Sequence, residues 1–79
     1  MSNREKYVAA FTSTFLVDES VLPNLKYQDI AAWDSVGHMA LMTALEEAFS
    51  VEMDIDDIIE FSSFEYGLTI LAKYKIAME

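Results

Sequence analysis

"AAWDSVGHMALMTALEEAF", residues 31–49, decides how this chain is read. An aspartate stands just before a run whose apolar residues Leu41, Leu45 and Phe49 recur at i, i+4 and i+8, the spacing of one helix face. Aspartate is a favoured N-cap, because its carboxylate accepts from backbone amides that have no partner inside the helix. Asp34 therefore predicts a helix that opens at Ser35 and stops near Ser50. As first residue, Ser35 would hold its hydroxyl beside those amides and the positive end of the helix dipole. An anion joined there would be stabilised, typically by roughly 0.3–1 kcal/mol when exposed.

Outward toward the N-terminus, residues 18–33 contain the only proline, Pro23, and no sustained period, so they read as a long connection. Val21, Leu22, Leu25, Tyr27, Ile30 and Trp33 are available to pin it. Before it, Ser2 with Glu5 three residues on is a reciprocal capping pattern. Tyr7, Phe11 and Phe15 follow at four-residue spacing with Val8 beside them, giving a first helix that ends near Leu16 or Val17.

Toward the C-terminus, "VEMDIDDIIEF" alternates apolar and acidic residues at its start, but a lone short strand would have no partner. An extended connection to a short helix over about Asp56–Glu60, capped by its own aspartates, is the preferred reading. Ser62 with Glu65 repeats the capping pattern and opens a last helix, with Phe64, Leu68, Leu71 and Tyr74 facing inward. Lys73 and Lys75 suit its negative end.

The whole chain sets further bounds. Its 79 residues allow one domain, 1–79. A domain this small buries only roughly 60–65% of the surface its unfolded chain exposes, which disfavours a deep enzymatic pocket. A hydrophobic fraction of 53%, with 13% aromatic residues, is enough for a packed core. The absence of cysteine removes disulfides and thiolate metal sites. With 14 acidic and 5 basic residues the formal net charge is −9, which repels nucleic-acid phosphates and anionic lipids and favours basic partner surfaces. No apolar run reaches the roughly 18–20 residues of a membrane span, and Met1–Arg4 is too polar to open a secretion signal. The expectation is a soluble, cytoplasmic monomer without membrane insertion.

"WDSVGHMALMTALEEAF" resembles the prosthetic-group site of acyl carrier proteins, in which an Asp-Ser-Leu triplet opens the second helix and a Leu-Glu-Glu-x-Phe run closes it. Here the triplet is Asp34, Ser35 and Val36, and the closing run is Leu45 to Phe49. The likeness continues through "VEMDIDDIIEFSSFEYGLTIL" and covers residues 31–74, reaching the first helix only by pattern. It implies an all-α, four-helix acyl-carrier-like bundle with a long first loop and a short third helix. It also implies that a phosphopantetheinyl transferase moves 4'-phosphopantetheine from coenzyme A onto Ser35. The thiol so acquired would carry acyl or aminoacyl groups as thioesters, supplied by a loading ligase and received by processing enzymes with basic docking patches. Val36 replaces the family's usual leucine, and Gly37 and His38 stand where fatty-acid-synthesis carriers more often have polar or acidic residues. That stretch looks more like stand-alone carriers of specialised pathways, such as secondary metabolite or surface-sugar assembly.

The same residues have other uses. Ser35 could serve only local hydrogen bonding at a helix start, as Ser62 does, and Asp34 could be only a cap. In the resemblance Asp34 also helps the transferase place its metal and coenzyme A. Asp34, Ser35 and His38 crowd into one helical turn and cannot line up as orienter, nucleophile and base, so no catalytic set is assigned and His38 is read as a polar surface or helix-start residue near the arm or a partner. Val36, Met39 and Thr43 fall off the inward stripe and are candidate docking residues, with Glu46, Glu47, Asp56 and Asp57 supplying charge. The acidic run lacks the glycine and spacing of a calcium loop, so no metal site is claimed. Gly67, inside the last helix, marks either close packing or room for an acyl chain between the second and last helices. The rival readings are an acidic helical interaction module without a prosthetic group, and a small serine hydrolase.

Overall fold

Ser2 and Glu5 close the first helix reciprocally: Glu5 N–H donates to Ser2 Oγ at 3.1 Å, and Ser2 N–H to Glu5 Oε1 at 2.8 Å. The helix, α1, runs Asn3–Phe15 and ends because Leu16 turns left-handed, at φ 56°. The computed structural model describes residues 1–78. After α1 come a 3-10 helix (Glu19–Asn24), then α2 (Ser35–Phe49), α3 (Ile55–Glu60) and α4 (Phe64–Lys73). The fold is all-α, and no strand forms among the described residues.

The long connection is more ordered than its sequence suggested. Asp18 caps the 3-10 helix, its carboxylate accepting from Ser20 N–H at 2.9 Å, and Pro23 lies within it. A 3-10 turn repeats every three residues and is short, so it leaves no amphipathic signature. Leu22, Leu25 and Trp33 are buried and Ile30 is half-buried, but Val21 and Tyr27 are exposed, so four of the six expected residues pin the segment.

α4 begins one residue later than expected. Lys26 and Ser63 form an isolated antiparallel bridge, with Tyr27 N–H donating to Ser62 O at 2.9 Å and Phe64 N–H to Leu25 O at 3.0 Å. The bridge holds residues 62 and 63 extended, so Ser63, not Ser62, is the cap, accepting from Tyr66 N–H at 2.9 Å. Phe64, Gly67, Ile70 and Leu71 consequently face inward, while Leu68 and Tyr74 are half-buried. α3 begins at Ile55 after an extended segment, and its cap residue Asp54 makes no side-chain capping bond, contrary to the expected aspartate caps.

The core is aromatic. Tyr7, Phe11 and Phe15 of α1 are buried as the spacing predicted. The Phe11 ring lies 5.0–6.2 Å from those of Tyr7, Phe15, Trp33, Phe61 and Phe64. On α2, Leu41 and Leu45 are buried with Met42, whereas Phe49 is half-buried. Tyr7 Oη donates to Phe64 O at 2.6 Å, and burial pushes its hydroxyl far above the usual phenol range. Gly67 sits against Tyr7 and Phe61, and a Cβ placed there would lie 2.2 Å from Tyr7 Oη and 2.2 Å from Phe61 Cζ. At Gly67 itself the structure shows close packing, against Tyr7 and Phe61.

No helix among the described residues is long and apolar enough to cross a membrane.

Candidate functional site

Asp34 sits in extended backbone and its Oδ1 accepts from Gly37 N–H at 2.8 Å, which fixes the first turn of α2. Ser35 is therefore the first residue of the helix, and it is exposed. Gly37 is needed for close approach: a Cβ there would lie 1.9 Å from the backbone oxygen of Ala32. That contact seats the start of α2 on the preceding segment, whose Trp33 is fully buried.

Beside Ser35 runs a cleft of ≈ 310 Å³ lined by Tyr27, Ser35, His38, Met39, Ile58, Ile59, Phe61 and Ser62. Its walls are mainly apolar, with the serine hydroxyl at one side. A larger cleft of ≈ 610 Å³ lies between α1 and the 3-10 helix, lined by Arg4, Glu5, Val8, Val17, Asp18 and Glu19 among others, and Ser35 is not part of its lining. The smaller cleft is the candidate site because it combines an exposed nucleophilic oxygen, a helix N-terminus and apolar walls.

The expected docking residues divide. Val36 and Met39 are 78% and 51% exposed, and Thr43, Glu47 and Asp56 are also exposed. Glu46 is half-buried, and its Oε2 accepts from Met53 N–H at 2.9 Å, closing the turn after α2. His38 stands at the helix start, one of its two expected places, and is held by partners instead of lying free at the surface. It is half-buried, with Trp33 Nε1 at 2.9 Å from its Nδ1 and Ile58 O at 2.7 Å from its Nε2.

Asp57, expected to supply docking charge, is buried against α4 instead. Its Oδ1 accepts from Lys73 Nζ at 2.5 Å and its Oδ2 from Tyr74 Oη at 2.5 Å. Tyr74 Oη accepts in turn from Asp54 N–H at 2.9 Å. The bond from Lys73, followed by that from Tyr74, holds the Asp57 carboxyl below the usual carboxylate range. The same carboxylate raises Tyr74 above the usual phenol range.

A depressed acid stabilises the fold fully above its unfolded pKa of about 3.9, and that contribution is lost as pH falls through the lower folded value. The melting-temperature gap between the native chain and Asp57→Asn should thus be widest near neutrality and close below about pH 4. Parallel melting curves across that range would show that Asp57 adds no pH-dependent stability.

Tyr27, Ile58, Ile59, Phe61 and Ser62 line the cleft without having been read as site residues. A signal for part of this group was present. Ile55 and Ile59 stand four apart in an acidic run, and each is 73% exposed in α3, which marks an apolar face left outside the core. Comparison with family models, curated proteins and solved structures returns no match to this chain, so its own residues carry the functional reading.

Proposed function

We propose that this chain is an acyl carrier protein with the four-helix carrier fold, in which Ser35 bears 4'-phosphopantetheine. The observation that carries the reading is the exposed Ser35 hydroxyl at the first residue of α2, behind the Asp34 cap and at the side of an apolar cleft. The residues suit the group on two counts. The helix N-terminus favours a phosphodiester anion, and Met39, Ile58, Ile59 and Phe61 offer apolar walls to a carried chain.

In the proposed loading step, catalysed by a phosphopantetheinyl transferase, Ser35 Oγ gives up its proton and forms a bond to the phosphorus that joins pantetheine to the nucleotide in coenzyme A. The bond to adenosine 3',5'-bisphosphate breaks and that nucleotide leaves. The arm supplies the thiol on which an acyl or aminoacyl group is held, in a chain with no cysteine of its own. The chain's part is to present Ser35 on a fixed helix start, to shelter cargo along the cleft, and to meet basic-patched ligases and processing enzymes with Val36, Met39, Thr43, Glu47 and Asp56.

Exposed Val36 and Met39 on α2 and exposed Ile55 and Ile59 on α3 favour a second reading, an acidic interaction module that works without a prosthetic group.

Intact mass after incubation with coenzyme A and a broad-specificity phosphopantetheinyl transferase separates the two. The expected result is a gain of one phosphopantetheine, abolished in Ser35→Ala. No gain with a transferase active on another carrier, together with unchanged partner binding by Ser35→Ala, would favour the module.

A further inference from the structure

We propose that His38 is a positioning residue which, as its neutral Nε2–H tautomer, fastens α3 across the cleft beside Ser35, and that protonation of the ring releases α3. The functional meaning rests on the reading of the cleft given above, whereas the geometry requires no attached group.

The tautomer follows from the partners. An indole nitrogen only donates, so Nδ1, at 2.9 Å from Trp33 Nε1, must accept. A carbonyl only accepts, so Nε2, at 2.7 Å from Ile58 O, must carry the proton. Both contacts are satisfied by one neutral form. In the imidazolium form Nδ1 also carries a proton, and two N–H groups then face each other.

Either the indole or the imidazole must move. Trp33 is fully buried and packed against Phe11 and Phe15, at 5.5 and 5.2 Å between ring centroids. The ring of His38 is the freer partner, and it carries the hold on α3 with it.

That hold matters because α3 is only six residues long. Ile58 O lies in its last turn, where carbonyls have no intrahelical partner. His38 fills one of them from α2, and the Asp57 bonds to Lys73 and Tyr74 tie the other side of α3 to the end of α4. Ile58 and Ile59 line the cleft, so releasing α3 from His38 alters the wall facing Ser35.

The groups around the ring leave Trp33 as the contact that senses its charge. From the preceding connection, Tyr27 lies edge-on at 5.4 Å, and the Asp29 carboxylate accepts from Lys26 N–H. On α2 itself, the Asp34 carboxylate caps Gly37. On α3, Asp57 is bonded to Lys73 and Tyr74, and Asp56 and Glu60 are exposed. Past α3, Phe61 lies at 6.2 Å and is uncharged. Among the described residues no ion pair reaches His38.

The chain has one histidine and one tryptophan, so nitrogen-15 NMR of the unmodified protein reports both without ambiguity. At neutral pH the expected result is an Nε2–H imidazole and a Trp33 indole proton protected from solvent exchange. Acid is then added stepwise while both rings are followed. Through that titration the indole proton should lose its protection, and the Ile58, Ile59 and Glu60 amides should shift with the His38 midpoint.

His38→Gln can still donate to Ile58 O, and His38→Asn can still accept from Trp33. Both should abolish the α3 titration, with the α3 amides of His38→Gln staying nearer their native neutral-pH positions. An Nδ1–H tautomer at neutral pH, or α3 amides that do not follow the His38 midpoint, would overturn the proposal. Because the protein is unmodified, these outcomes are separate from success or failure of phosphopantetheine transfer.

Discussion

Phe11→Ala should lower the melting temperature by roughly 12–40 °C. Truncating a buried phenylalanine costs about 3–5 kcal/mol, and each kcal/mol moves the midpoint of a domain this size by about 4–8 °C. Phe11 belongs at the upper end, because its ring meets five other aromatic rings contributed by α1, the long connection, the segment entering α4 and α4 itself. None of those neighbours can collapse into the space without leaving its own contacts. Chains of this length have a total stability of about 4–12 kcal/mol, so the variant is largely unfolded at 37 °C if the parent lies low in that range. Phe11→Leu, which keeps much of the volume, should cost less. Thermal melts followed by circular dichroism measure both. A drop under about 5 °C for Phe11→Ala would mean the aromatic cluster is not the centre of the core.

Gly67→Ala should destabilise the fold by about 1–5 kcal/mol, although alanine is the better helix former by about 1 kcal/mol. The sign turns on space. The new methyl would lie 2.2 Å from both Tyr7 Oη and Phe61 Cζ, whose side chains are buried at 0% and 1% exposure. Overpacking costs about 1–3 kcal/mol. Displacing the Tyr7 hydroxyl from Phe64 O adds about 1–3 kcal/mol for a buried group left without its partner. Urea unfolding gives the difference directly. A more stable variant would show that the Tyr7 and Phe61 rings can withdraw, and would reopen this region as room for a guest.

The helices that the sequence marked most clearly are those whose ends are fixed by neighbours three residues away. Ser2 with Glu5, and Asp34 with Gly37, form their bonds within one turn, so their spacing in the chain carries the geometry. The inward positions of α1 were legible for the same reason, since helical periodicity alone brings Tyr7, Phe11 and Phe15 onto one face. Ser35 could be placed at a helix start from Asp34 alone. The cleft beside it could not, because its walls come from three segments that the sequence leaves separate.

What the sequence by itself determined, then, was the all-helical class, the acidic surface and the position of Ser35, each set by composition or by contacts within a turn. Tertiary structure decided the rest. Ser63 replaced Ser62 as cap because a bridge to Lys26 holds that segment extended. His38 is half-buried at the helix start because Ile58, 20 residues on, offers it a carbonyl. Asp57 turned from a docking charge into a buried tie because Lys73 and Tyr74, 16 and 17 residues away, supply its donors. A polar side chain follows whichever partner satisfies it when water is withdrawn, and for these residues that partner is fixed only when the helices have packed.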